Sequence, residues 1–245
     1  MPAAVVAPLG LSPPVVTEFV QWLVSRGIDV RRVYLLATNE EDVLSGARLI
    51  EAAISCRYPS IEVRTHELSY GDVDNEERAI DFLLTVSKIL SDVRGKYELY
   101  LLVSGGRKVM SIETALLSQF LPSSVFHVVA RDVKVANILL ESLRDRIREL
   151  SKSNDPISFY KSTPEFDGLM WPPLTEYSVI RLPTIPYPDV ILEEVIKALK
   201  GARKDDVKLN LVPLLEQAGL IQVSKGYTVP TEYGRKLLEA LKSIY

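Results

Sequence analysis

The chain has 245 residues, 47% apolar and 25% charged, which are the proportions of an ordinary globular protein with room for one large or two modest domains. A net charge of −3 excludes a global field that would draw it to nucleic acid, so any such contact has to be local. The single cysteine, Cys56, excludes an internal disulfide and fits a reducing cytoplasm; no apolar run reaches membrane-span length, and the first residues lack the basic-then-apolar order of a signal peptide.

Ala3 to Pro8 is a short apolar strand that runs into Leu9-Gly10-Leu11-Ser12-Pro13-Pro14. Ser12 is placed as a helix N-cap with Pro13 at the first helical position. Val15, Val16, Phe19, Val20, Leu23 and Val24 then recur at helical spacing. Arg31 to Ala37 is a second strand followed by Thr38-Asn39-Glu40, and a helix covers Glu41 to Ala53. Ile61 to Leu68 alternates as a strand does, and Asp74 to Val93 is a long amphipathic helix. Asp72, Asp74, Glu76 and Glu77 read as the acidic run of that helix's N-terminus rather than as a metal site. A buried strand around Leu99–Val103 leads to Ser104-Gly105-Gly106-Arg107-Lys108 and a helix over about 110–120. Ser124 to Ala130 is a fifth strand, and Val133 to Leu150 a helix with a charged face. His66 and His127 both fall inside strands and read as strand residues, not as acid–base catalysts. The alternation of strand and helix over about 150 residues predicts an open, mostly parallel, doubly wound α/β sheet.

Gly105-Gly106-Arg107-Lys108 carries the clearest chemistry. A strand ending in glycines and opening into a helix directs backbone N–H groups and the positive helix end at one spot, which suits an anion. Arg107 adds a planar fork and Lys108 a point charge. The spacing is neither a Walker loop nor Gly-x-Gly-x-x-Gly, and the alternative is a tight turn with two solvated cations. Both this loop and Ser12 follow strands, so a hydroxyl and a cationic nest are expected to face one cleft beyond the strand ends.

Residues 151–188 change character. Ser151 to Pro156 is linker-like, and the aromatic stretch from Phe159 to Pro173 is expected to be a non-helical segment, either a functional loop or a strap that packs its aromatics on the sheet. Tyr177 to Leu182 is a returning strand. From Pro188 the order is helix (192–199), helix (209–217), hairpin turning at Lys225-Gly226, and helix (232–244), the pattern of a winged helix-turn-helix. The expected recognition helix offers only Lys208, Asn210 and Gln217 as polar readers, which argues for a scaffolding or dimerisation role over DNA binding. Two domains follow, residues 1–184 and 185–245.

Leu9-Gly-Leu-Ser-Pro-Pro-Val-Val-Thr-Glu18 and Val103-Ser-Gly-Gly-Arg-Lys-Val-Met110, in this order at strand ends and followed by a winged unit, resemble the CRISPR-associated Rossmann fold (CARF) proteins. The combination is similar to the archaeal CRISPR ring nucleases built from a CARF domain plus a winged helix. That resemblance implies a cytoplasmic homodimer, without cofactor or metal, that binds cyclic tetra-adenylate and cleaves it to linear products through attack of the ribose 2′-OH. It implies catalytic roles for Ser12 and Lys108, and for Lys161 as the one lysine between Lys152 and Lys197. Gly10, Leu11, Ser104, Gly105, Gly106 and Arg107 would hold phosphate and ribose. Adenine would lie against Thr38 and Asn39, against Arg131 and Asp132, or against the aromatic strap. A CARF transcription regulator that senses the same messenger and binds DNA is the alternative that this resemblance leaves open.

Overall fold

In the computed structural model, which describes residues 1–244, six strands form one sheet. They are β1 (Ala3–Leu9), β2 (Val30–Ala37), β3 (Glu62–Glu67), β4 (Glu98–Leu102), β5 (Ser124–Ala130) and β6 (Tyr177–Leu182). Their spatial order is β3-β2-β1-β4-β5-β6; the first five are parallel and β6 returns antiparallel along β5. Every residue of β1 is buried, as a central strand covered on both faces requires. Its odd positions Val5, Ala7 and Leu9 enter one core and its even positions Ala4 and Val6 the other.

Helices α1 (Pro14–Ser25) and α2 (Glu41–Arg57) cover the first face, and α3 (Glu76–Val93) and α4 (Lys108–Leu117) the second. The protein is thus a Rossmann-like α/β sheet, as the strand–helix alternation predicts. The expected helix over 133–150 is two helices, α5 (Val133–Ser142) and α6 (Arg144–Lys152), broken at Leu143, whose ψ of 1° lies outside the helical range. No glycine or proline marks that break, so the apolar period runs through it. The expected non-helical segment is largely helical as well: α7 (Pro156–Lys161), capped by the Asp155 carboxylate, and α8 (Glu165–Met170). Six residues hold too little periodicity to announce a helix. The aromatics do pack inward, with Tyr160, Phe166 and Trp171 buried against α1 and α2.

The C-terminal unit runs α9 (Asp189–Leu199), a 3₁₀ turn at Lys204–Asp206, α10 (Leu211–Gln217), β7 (Ile221–Ser224), β8 (Tyr227–Pro230) and α11 (Glu232–Ile244). β7 and β8 are an antiparallel hairpin turning at Lys225 and Gly226, both at positive φ (50° and 79°), the conformation that a two-residue hairpin turn demands. A small core of Ala198, Leu199, Val207, Leu215, Ile221 and Leu241 holds the winged arrangement together. α11 also lies along α3, where Ala240 and Ile244 join the core of the sheet's second face. No helix among the described residues is long and apolar enough to cross a membrane.

Candidate anion site at the strand ends

The strand order reverses between β1 and β4: the chain winds outward through β2 and β3, then returns to the other side of β1. Ligands of open α/β sheets bind in the crevice that such a reversal leaves beyond the carboxyl ends of the strands. The loops after β1 (10–13) and after β4 (103–107) meet there, and glycine is what lets them meet. A Cβ on Gly10 would stand 2.8 Å from the Gly106 nitrogen, and one on Gly105 only 2.4 Å from the Pro8 carbonyl oxygen. Gly106 has φ +77°. The Ser111 hydroxyl donates to the Gly105 carbonyl (2.8 Å), tying the loop to the first turn of α4. Gly105→Ala is therefore expected to destabilise the fold by about 1–3 kcal/mol through overpacking. The check is thermal unfolding, and an unchanged midpoint would show that the loops are not locked in this way.

Lys108 is the first residue of α4; it is exposed, and among the described residues it has no ion-pair partner. No side chain caps that helix and no acid stands in its first turn, so its positive end is open. Arg107 is engaged differently. Its Nε lies 2.9 Å from the Asp72 carboxylate and a terminal nitrogen lies 3.7 Å from Glu40. Ser12 is exposed and is not the N-cap that the sequence suggests: Pro13 already has helical dihedrals (−60°, −30°), so the helix starts at Pro14 and Ser12 stands outside it. Its hydroxyl makes no hydrogen bond among the described residues; it lies on the loop whose Gly10 meets Gly106, two residues beyond that contact.

A recess of about 180 Å³ lies between the loops, lined by Leu9, Gly10, Leu11, Thr38, Glu40, Val43, Gly106, Arg107 and Met110. That is smaller than a typical ligand pocket, so it accommodates part of a ligand whose remainder lies across the mouth. A wider depression, about 910 Å³, sits at the other end of the strands around Glu98, Ser124 and Arg181, away from these loops.

The other residues expected at the site divide. Thr38 is buried in the recess wall. Asn39 is at its rim, its amide nitrogen donating to the Ser69 carbonyl (3.2 Å). Arg131 follows β5 and is exposed, with its backbone N–H on the Glu176 carbonyl. Ser104 turns away: its hydroxyl accepts from the Val128 N–H and lies 3.3 Å from His127 Nδ1, stitching β4 to β5. Within one chain Lys161 lies away from these loops. It sits with Cys56, Arg57 and Asp167 at the far end of α2, and the fifteen-residue rise of that helix puts it roughly 22 Å from the strand-end loops. Sequence spacing could not reveal which end of α2 the segment reaches. The aromatic strap is likewise excluded as an adenine platform, because Tyr160, Phe166 and Trp171 are core residues.

Three residues have roles here that the sequence does not announce. Asp72 and Glu40, which hold Arg107, come from loops after β3 and β2; their common position just beyond strand ends is the signal that could have found them. Arg144, whose side chain is only 11% exposed, donates to the Leu11 carbonyl (3.3 Å) and to Glu141, and so steadies the Ser12 loop from α6. Among the described residues no three His, Cys, Asp or Glu side chains converge as metal ligands would.

The CRISPR system ring nuclease SSO2081 of Saccharolobus solfataricus is 30% identical over 118 residues, which are 46% of this chain and 64% of that protein. Enterococcus italicus Csm6 bound to cyclic hexa-2′-fluoro-hexa-dAMP superposes at TM-score 0.48 and 11% identity, covering all of this chain and 53% of that one. Can2 from Sulfobacillus thermosulfidooxidans, in complex with cyclic tetra-adenylate, gives TM-score 0.37 at 11% identity over 97% of this chain and 63% of that one. This chain therefore spans less than two thirds of the length of each of these three proteins. The family model for CRISPR-associated protein NE0113 matches residues 12–216, from the Ser12 loop through α10, and the chain belongs to that family.

Proposed function

We propose that this protein is a ring nuclease that opens cyclic tetra-adenylate and so removes a CRISPR second messenger. One observation carries the reading: a glycine-built nest with Arg107, Lys108 and the uncapped Ser12 hydroxyl stands at the reversal of strand order, in a chain related to a named ring nuclease. The ring brings its own nucleophile. A ribose 2′-OH attacks the adjacent phosphorus in line, the bond to the 5′-oxygen breaks, and a linear product with a 2′,3′-cyclic phosphate and a 5′-hydroxyl results. The protein's task is to hold that geometry and to stabilise charge on the non-bridging oxygens. Lys108 and Arg107 supply the charge, and Ser12 orients the attacking hydroxyl by hydrogen bonding.

A homodimer completes the reading. Val109, Ile112 and Leu116 form an exposed apolar stripe on α4, the helix that begins with Lys108, and such a stripe supports self-association next to the site. A two-fold axis there presents two nests to a ring that has matching symmetry. DNA reading by the winged unit is not favoured: Leu209 and Leu214 are exposed at its recognition helix, and cations are few.

The test is incubation of the purified protein, sized by light scattering, with labelled cyclic tetra-adenylate in EDTA. A dimer yielding linear products that end in a cyclic phosphate is the expected outcome. Tight binding with an intact ring would make it a sensor instead, and the absence of both binding and cleavage would overturn the ring reading.

A further inference from the structure

Arg107 is expected to bind phosphate, yet its guanidinium is already occupied. It reaches from the loop after β4 across the end of β1 to Asp72, beyond β3, and to Glu40, beyond β2. These two carboxylates are not strays. Asp72 is fixed by a hydrogen bond from the Val73 N–H to its carboxylate (2.7 Å) and by Arg78 of α3, which donates to its carbonyl (3.4 Å) and pairs with Asp74. The Asp72 loop is itself tied to the β2 end by Asn39, through the Tyr70 and Ser69 carbonyls. An anchored carboxylate, Asp72, and a second one on Glu40 thus stand where a cationic fork needs anions, Glu40 and Arg107 both lining the recess.

We propose that Asp72 and Glu40 are positioning residues that act through Arg107. They are stand-in anions that hold its guanidinium across the crevice until a ligand phosphate takes it from them. The proposal deepens the ring-nuclease reading and rests on it for the identity of the ligand. Its consequence is selectivity. A ligand with a single phosphate exchanges one anion for another at Arg107 and gains little. A ring offers phosphates to Arg107 and Lys108 together, and its contact with the unpaired Lys108 provides the surplus that opens the latch.

The binding probe is cyclic tetra-adenylate with 2′-fluoro in place of each 2′-OH, which cannot be cleaved. All three groups are partly exposed, with side chains 49%, 41% and 38% accessible for Arg107, Asp72 and Glu40. Removing the competing carboxylate in Asp72→Asn should therefore tighten probe binding about two- to fivefold, the range of a screened ion pair. Asp72→Glu should keep the wild-type affinity. In an Arg107→Ala background, Asp72→Asn should change nothing, because the residue acts through the arginine. Unchanged or weaker binding in Asp72→Asn, or the same gain without Arg107, would overturn the latch. A second arm needs no ligand. The Arg107 Nε–Hε resonance, assigned by its loss in Arg107→Lys, should move in ligand-free Asp72→Asn; an unmoved resonance also overturns the proposal. If the wild-type protein does not bind the probe, the ring reading fails, and the resonance alone decides on the latch.

Discussion

Lys108→Ala is expected to slow ring opening in single-turnover cleavage by about 10²–10³-fold, the usual loss when one group facing developing charge is removed from a preorganised site. The expectation follows from the contrast between the two neighbouring cations. Arg107 is engaged by carboxylates, whereas Lys108 has no ion-pair partner among the described residues and stands at an uncapped helix start. Its ammonium adds to the backbone N–H groups of the same turn instead of replacing them. The side chain is exposed, so the variant should unfold at the wild-type temperature, and a lost rate cannot be ascribed to a lost fold. Ser12→Ala should reduce rate more than affinity, since its hydroxyl is assigned to the attacking 2′-OH. A Lys108→Ala enzyme that cleaves at the wild-type rate would remove this residue from the mechanism.

The second large effect concerns stability and lies under β6, away from the site. Glu18 on α1 is 6% exposed, and its Oε2 has no hydrogen-bond partner among the described residues. Burial alone pushes its carboxyl up to about 7 from the ordinary 4.5. The folded protein therefore favours the neutral acid. The stabilisation is complete below the unfolded value near 4.5 and is lost as pH rises through 7. At about 1.4 kcal/mol per pH unit, the loss approaches about 3 kcal/mol by pH 8. For a chain of this size that is a fall in unfolding temperature of roughly 5–10 °C between pH 5 and pH 8. Glu18→Gln should remove about half of the protein's slope over this range and raise the midpoint at pH 8. Glu113, half-buried on α4, is likewise pushed up to about 7 by burial and adds a comparable loss of its own; the double variant with Glu113→Gln should be nearly flat. Melting curves of wild type and Glu18→Gln that stay parallel across this range would refute the assignment.

Much of the architecture was legible because buried parallel strands write themselves as short apolar runs. β1, β2, β4 and β5 are such runs, and the glycines that end β4 announce the nest. Illegible features share a different physics. The break at Leu143 lies within an unbroken apolar period, and α7 and α8 are stabilised by burying aromatics against α2 rather than by any periodicity of their own. Ser12 is not the helix cap that its context suggests, since consecutive prolines begin the helix without it. The position of Lys161 was illegible because chain order says nothing about which end of a helix a later segment packs on. Asp72 reads in sequence as part of a helix-end charge run and Glu40 as a loop residue after β2, and their proximity to Arg107 across three strands is not written in spacing.

The seat of α11 along α3 bears on how the molecule comes apart. Ala240 and Ile244, from the last turns of the chain, fill the same core as Ala4 and Val6 near its beginning. Sequence order suggests two beads on a string, but the second bead supplies part of the first one's interior. The sheet cannot shed its C-terminal unit without uncovering an oily flank of α3, so the two should melt together in a single cooperative step. In a nascent chain, likewise, that flank of α3 stays bare until α11 has emerged.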